Sequence, residues 1–379
     1  MEVDEPTLDV FFGDLEDPRI DRTKKYPLVE IVFLTIIATL CGADSWQAIV
    51  LVGEERMDWL RKFFPFANGV PSHDTIGRVF SILDPKLFQD CFLRWVHSVA
   101  TVTNGEIIAI DGKVSCASAD THTGNPALYL VNAWAVKNGV SFGQVKVADK
   151  SNEITAIPEL LKLLSLKGAV VTIDAIGAQK EIVNAIVSKD ADFAIGLKAN
   201  QPALHDEALR YLEAKMLSAK SNPENYDHQT NAGHGRVESR ECFHVPIDYE
   251  WMPSAKDWPG VTSLIGILAE RFQKSTNETS TELRLYISSL SINAKHAQQV
   301  IRSHWGVENN LHGVLDVTFG DDKSTIRKDN APQNHGIIKR WAMALLKCDK
   351  QKKGLSLKNK RMKALVNPDY LESLWKQVN

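Results

Sequence analysis

Three acids in this sequence stand where carboxylates can meet. Asp111 closes the apolar run "EIIAID", Asp174 closes "GAVVTID", and Glu308 lies far downstream in "VIRSHWGVENNLHGVLDV". Strand ends along one edge of a sheet face a common crevice, and a helix beside that edge can add a third carboxylate. Converging carboxylates repel one another unless cations hold them. Oxygen donors of this kind suit Mg2+, with Mn2+ able to substitute. Two such ions about 3.5–4 Å apart can activate a water or a 3′-hydroxyl on one side of a phosphorus and stabilise the leaving oxygen on the other. Singly, each acid has a plainer explanation. "IDG" and "IDAIG" are common turns in which Asp bonds its own backbone, and a helical Glu is usually a solvated face.

The neighbours of Glu308 are unusual. His304 and His312 lie four residues to either side and share its helical face. The spacing is not that of a zinc protease helix. Hydrogen bonding to phosphate, with Arg302 nearby, fits better than zinc ligation. Trp305 could stack on a flipped or frayed base, or be an ordinary core residue. Lys113 could neutralise developing phosphate charge, or be a solvent-facing turn lysine.

These residues need a scaffold. From Gly105 the chain reads as three strands, "EIIAIDGK", "ALYLVNAWAV" and "VSFGQVKVA", the last two joined by Lys137-Asn138-Gly139. Asn-Gly is a strong hairpin signal. A helix follows, "ITAIPELLKLLSL", with Thr155 as N-cap. Then come a strand ending at Asp174, the helix "KEIVNAIVSKD" and the strand "DFAIGLK". That is the element order of a ribonuclease H-like α/β sheet. Between about Asn200 and Ser289 the pattern breaks into strand-like runs, including "HGRVESRECFHV". One helix is expected from near Asn293 to about Leu315, with more around Asn334–Lys347.

Upstream, an irregular arm with Pro6, Pro18 and Pro27 leads into a helical segment. In "VPSHDTIGRVFSIL" Ser72 caps a helix that would present His73 and Arg78 outward, as a helix-turn-helix-like reader could. Small helical bundles mostly have no such role. The expected organisation is an arm (1–27), a helical and DNA-binding domain (28–102), a first core part (103–200), a β-rich insertion (201–290), a second core part (291–348) and a basic tail (349–379).

The net charge of −3 argues weakly against a polyanionic partner, but it hides an asymmetry. The first residues are acidic, whereas Lys339–Lys363 is basic apart from Asp349. Phosphate responds to local patches rather than to the sum. A solvated basic helix is the alternative. The five cysteines are scattered, which fits a reducing, cytoplasmic setting. Leu28–Ala43 is apolar but short and contains Glu30, so it reads as a buried helix and not a membrane span.

Six segments carry a resemblance: "IAIDGK", "QVKVADKSNEITAIPELLKLL", "GAVVTIDAIGAQ", "FAIGLKANQ", "HGRVESR" and "RSHWGVENNLHGVLDVTFGDDKSTIRKDNAPQN". Together they resemble insertion-sequence transposases of the ISAs-type group, which includes the H-repeat-associated proteins of bacteria. "VPSHDTIGRVF" is similar to that group's associated N-terminal domain. The resemblance implies a DDE catalytic core on a ribonuclease H-like fold, with Asp111, Asp174 and Glu308 as the triad holding two Mg2+ ions. It implies that 201–290 is the β-rich insertion of such enzymes. Arg236 and Arg240 would then lie near the active site or DNA, or else on a charged surface strand. It further implies double-stranded DNA as partner, at terminal inverted repeats and target sites, a homodimer on DNA, and a place at the bacterial nucleoid. Two departures stand out. "DGKVSCAS" lacks an Arg usual in relatives, with Cys116 and Ala117 in that region, and Gly313 stands where a Trp is frequent. They motivate the alternative of a catalytically weak, domesticated relic that still binds DNA, or a nuclease that cuts without joining.

Overall fold

In the computed structural model, which describes residues 8–100, 104–115, 118–119, 127–147, 153–233, 235–349 and 354–376, helices come first. α1 (Leu8–Phe12), α2 (Leu28–Leu40), α3 (Trp46–Glu55), α4 (Met57–Leu60), α5 (His73–Ile82) and α6 (Pro85–Val99) precede any strand. α5 begins where the sequence places it, with Ser72 Oγ accepting from the Thr75 amide. α2 is apolar all round and buried from Glu30 to Leu40, as a helix enclosed by protein must be. The Glu30 carboxylate accepts from the Phe66 amide at 2.8 Å, which satisfies this buried acid. The arm is less irregular than expected. Phe11, Phe12 and Leu15 are buried, and Phe12 stacks on Trp341 with ring centroids 5.2 Å apart. Prolines break elements there without keeping apolar side chains from the core.

The strands follow with their crossovers. β1 (Ile107–Ser115), β2 (Leu128–Ala135) and β3 (Val140–Val147) lead to α7 (Glu153–Leu163), β4 (Val170–Ile173), α8 (Lys180–Val187) and β5 (Asp192–Leu197). The β2–β3 hairpin turns at Lys137–Gly139, with Gly139 at φ +67°, a region that glycine enters freely. β2 is antiparallel to both β1 and β3, while β4 lies parallel to β1 and β5 parallel to β4. The C-terminal ends of β1, β3, β4 and β5 therefore share one edge.

The segment after β5, expected to be β-rich, is not made of strands and loops alone. It opens with an 18-residue helix, α9 (Pro202–Ala219). Its Ala, Leu, Glu and Lys are good helix formers, and Leu204, Ala208, Tyr211 and Leu212 make its buried side. Then come β6 (Tyr226–Gly233), β7 (Arg236–Pro246), β8 (Ser263–Gln273) and β9 (Glu278–Ser288). They build no second sheet. β9 pairs with β5, Ile195 opposite Ile287, giving one nine-stranded mixed sheet in the order β3-β2-β1-β4-β5-β9-β8-β7-β6. β6–β9 thus lengthen the sheet whose other half carries Asp111.

Five further α-helices follow β9, with a π turn between the first two: α10 (Ala294–His304), α11 (Gly313–Phe319), α12 (Ala331–Cys348), α13 (Leu357–Val366) and α14 (Pro368–Lys376). α12 packs against α2, α5, α6 and β3 and joins the helical layer to the sheet. Part of the basic run faces the protein interior, although Lys358 is exposed. Lys339, Arg340, Lys360 and Arg361 are 2%, 1%, 6% and 6% exposed. Buried cations need partners. Lys339 meets Asp321 at 2.9 Å and Lys360 meets Asp349 at 3.2 Å. Arg361 donates to the Thr39 carbonyl at 2.8 Å, and Trp375 meets Phe33 edge-on at 4.9 Å. The C-terminal helices are thereby docked on α2. Cys116 and Ala117 lie outside the described residues, as do Lys350, Lys352 and Lys353. Cys41, Cys91 and Cys242 are buried free thiols. No helix among the described residues is long and apolar enough to cross a membrane.

Candidate active site

β1 does not end at Asp111; it runs on to Ser115. What ends there is its pairing with β4. The last pair is Ile110 with Ile173, while Asp111 still faces Asn132 on β2. Into the opening beyond β4 comes Asp174. Its Oδ1 accepts from the Ile176 amide at 3.0 Å, so the local turn bond is made. Asn200 donates to the Ala175 carbonyl and Gln201 to the Ala178 carbonyl, each at 2.8 Å, and both hold that turn. Gly196 on β5 lets it sit close, because a Cβ there would stand 2.9 Å from the Ala175 nitrogen. Gly196→Ala must therefore push backbone away beneath Asp174. The expected cost is ~1–3 kcal/mol in urea unfolding. An unchanged unfolding midpoint would show that the turn yields freely.

The single helix expected around Glu308 is interrupted. α10 stops at His304, Glu308–His312 form a π turn, and α11 follows. The Gly313 amide donates to the Glu308 carbonyl. Such wide turns are rare and often functional. Here His312 Nδ1 comes to 3.9 Å from Glu308 Oε2 and 3.5 Å from Asp111 Oδ2. Ligand atoms of Asp111, Glu308 and His312 all lie within 4.8 Å of one another. The two histidines part company. His304 Nδ1 is 3.1 Å from the Thr172 hydroxyl on β4, whereas buried His312 points at the acids.

Burial, then the charge of Glu308, pushes the Asp111 carboxyl up to about 7, with Asp174 and Glu153 adding to it. Burial, then Lys113 and Arg340, pushes His312 down to about 3, so its ring is neutral. Its Nε2 is buried without a hydrogen-bond partner among the described residues. Under-compensated carboxylates beside a neutral imidazole fit a divalent cation. Lys113 is no solvent-facing turn residue. Its ammonium lies 2.6 Å from Asp316 and 3.7 Å from Asp322, and it ties β1 to the α11 region. Arg340 donates to Asn132 Oδ1 at 2.7 and 3.1 Å, and Asn132 is the β2 residue paired with Asp111.

One residue escaped the sequence reading. β3 ends on the same edge as β1 and β4, so the helix that crosses back to β4 must start there. Its first residue is Glu153, where Thr155 had been expected as the cap. Burial, then the charge of Asp174, pushes this carboxyl up to about 7. The available signal was an acid in the first turn of a crossover helix.

A groove of about 570 Å³ runs from Gly306 and Asn309, beside the π turn, across β7, β8 and β9. Strand alternation and pairing put Arg236, Arg240, Arg271 and Arg284 on it, and α10 adds Arg302. Buried Glu238 pairs with Arg240 and, at 2.9 Å, with Arg271. Trp305 is 48% exposed and so is no core residue; the Arg284 guanidinium lies 5.0 Å over its ring. Gln298 lines the groove with both side-chain amide atoms buried and without a hydrogen-bond partner among the described residues. Arg78 is exposed elsewhere. It shares a cleft of about 940 Å³ with His73, Arg327 and Lys328, between α5 and the chain before α12.

Comparison with known proteins supplies the context. Residues 10–96 match the family described as DDE_Tnp_1-associated, and residues 103–346 match the transposase DDE domain. The chain is 40% identical over 366 residues to "Putative transposase YncI" of Escherichia coli O157:H7, covering 96% of this chain and 93% of that protein. It is 35% identical over 353 residues to "H repeat-associated putative transposase YhhI" of Escherichia coli K12, covering 92% of each. A solved piggyBac transposase complex with hairpin DNA covers 97% of this chain and 79% of its own, at a TM-score of 0.41 and 10% identity.

Proposed function

The chain belongs to the DDE transposase family, and from that premise we propose that it cuts DNA at the ends of its insertion sequence and joins the freed ends to target DNA. The observation that carries this reading is that Asp111 lies with Glu308 and His312, their ligand atoms within 4.8 Å of one another, while Asp174, at the end of β4, is near enough to raise the Asp111 carboxyl. The core is read as ribonuclease H-like on its strand order and directions.

Asp111 and Glu308, with His312 beside them, would hold one Mg2+, and Asp111 with Asp174 a second. Bound there, the ions would activate water or a 3′-hydroxyl and stabilise the leaving oxygen. The protein's own part is positioning and charge. Asp111 is fixed by strand pairing on its β2 side, Asp174 by its turn, and Glu308 by the π turn. Lys113, through Asp316 and Asp322, keeps β1 and the α11 region in register. The arginine groove would take the phosphates of the DNA end, and exposed Trp305 would offer its face to a terminal base. Arg78 and its cleft would contact the repeat further from the cut. Processing two ends together would need a homodimer on DNA.

Two measurements test this. Purified protein is incubated with labelled DNA carrying the element's ends, in Mg2+ or Mn2+, beside Glu308→Gln. Cut and joined products that vanish in the variant are expected. Binding without product in either metal would favour the relic, and cutting without joining a simple nuclease. Arg302→Ala and Arg236→Ala should each weaken binding and lower the slope of log affinity against log salt by about 0.9, the mark of one lost phosphate contact. Unchanged slopes would remove the groove from the DNA path.

A further inference from the structure

Glu153 is 9% exposed and sits at the start of α7, yet among the described residues its carboxylate accepts no hydrogen bond and has no cation. That is a costly arrangement for a group with only a structural task, since buried carboxylates are normally paired or hydrogen-bonded. What lies near it are the acids Asp111 and Asp174. The backbone also makes room for it. A Cβ at position 112 would fall 2.4 Å from Glu153 Oε1 and 2.2 Å from the Tyr129 hydroxyl. Gly112 is thus no turn glycine. It lies inside β1, next to Asp111, and its missing side chain is the space that Glu153 and Tyr129 occupy.

Asp111 and Gly112 point to opposite faces of the sheet, as neighbours on a strand do. Glu308 and His312 therefore approach Asp111 from one face, and Glu153 comes up from the other, at the edge where β4 stops. The ligand atoms grouped within 4.8 Å include Asp111, Glu308 and His312 but not Glu153. Its reach is that of a second layer.

We propose that Glu153 is a positioning residue of the active site, a fourth carboxylate that takes hydrogen bonds from the water shell of the cation held by Asp111 and Asp174. The inference rests on the cation reading given above. Partners that orient a metal's surroundings in this way typically change its affinity 10–100-fold when removed.

The test is calorimetric titration of the full chain with Mn2+ alone, without DNA, for wild type, Glu153→Gln and Glu153→Asp, together with the melting temperature of each in EDTA. In Glu153→Gln, Mn2+ affinity should fall by about tenfold or more, while the metal-free melting temperature stays level or rises because an unpaired buried carboxylate is gone. Glu153→Asp, which keeps the charge, should recover part of the affinity. Unaltered Mn2+ affinity in Glu153→Gln overturns the proposal and leaves the cation reading standing. So does a variant that melts lower or fails to fold without metal, because that makes Glu153 a structural residue. A wild type with no saturable Mn2+ binding overturns both.

Discussion

Asp111→Asn should make the metal-free protein more stable at pH 7 while stopping its chemistry. In the folded chain the Asp111 carboxyl is pushed up to about 7, by burial first and by Glu308 next. Unfolded, it titrates near ~3.9. A raised folded pKa means that the group favours folding fully below the unfolded value. That contribution is lost as pH rises through the folded value. Metal-free wild type should therefore lose stability from about pH 4 to about pH 7, and Glu153, raised to about 7 as well, acts in the same window. An Asn cannot ionise, so the variant escapes its share of the loss. At pH 7 the gain should be ~2–4 kcal/mol by urea unfolding in EDTA. Mg2+ should restore wild type towards the variant, because a ligand that binds only the folded state stabilises it. DNA cleavage, by contrast, should fall ~10³-fold or more, the effect of losing several kcal/mol of charge stabilisation in the transition state. An Asn variant less stable than wild type in EDTA would mean that Asp111 holds the fold together rather than straining it.

Lys339→Met should be the most damaging single change away from the acids. Lys339 and Asp321 form an ion pair at 2.9 Å with side chains 2% and 11% exposed. Burial raises the Asp321 carboxyl, but Lys339 and Arg340 outweigh it and leave the pKa low. The group therefore stabilises the fold at neutral pH and ceases to do so as the medium becomes acid enough to protonate it. Removing the lysine leaves a buried charge without its main partner, and the expected cost is ~3–5 kcal/mol. The Asp321 carbonyl also accepts from Ser115 Oγ at 3.3 Å, at the end of the strand that bears Asp111. Loss of the pair should therefore loosen the site before the sheet unfolds. Adding Asp321→Asn to Lys339→Met should recover part of the stability, because no uncompensated charge then remains. A double variant no better than the single would place the cost in lost packing instead of charge.

How much of this was legible in the sequence differs from feature to feature. Burial of α2, the Asn138-Gly139 hairpin, the strands that carry Asp111 and Asp174, and the membership of a DDE family all came from local signals: apolar runs, alternation, turn chemistry and long motifs. α9 carried such a signal and was missed, because its helix formers stood in a stretch read for alternation alone. Other features have no local signature. A π turn costs one hydrogen-bond register and depends on what the helix packs against, so Glu308 and His312 converge on Asp111 only in the folded chain. A lysine or arginine declares its charge but not its direction. Arg236 and Arg302 line an open groove, while Lys339, Arg340, Lys360 and Arg361, read as a basic patch, are buried against carboxylates, amides and carbonyls. By itself, the sequence determined which residues could do metal-assisted phosphoryl chemistry and which strands would carry two of them. Only the tertiary structure decided that Glu153 joins them from the far side of the sheet and that the insertion extends the same sheet. Those outcomes depend on strand order and on the crossover's return to one edge, which arise from pairing between residues far apart in the chain.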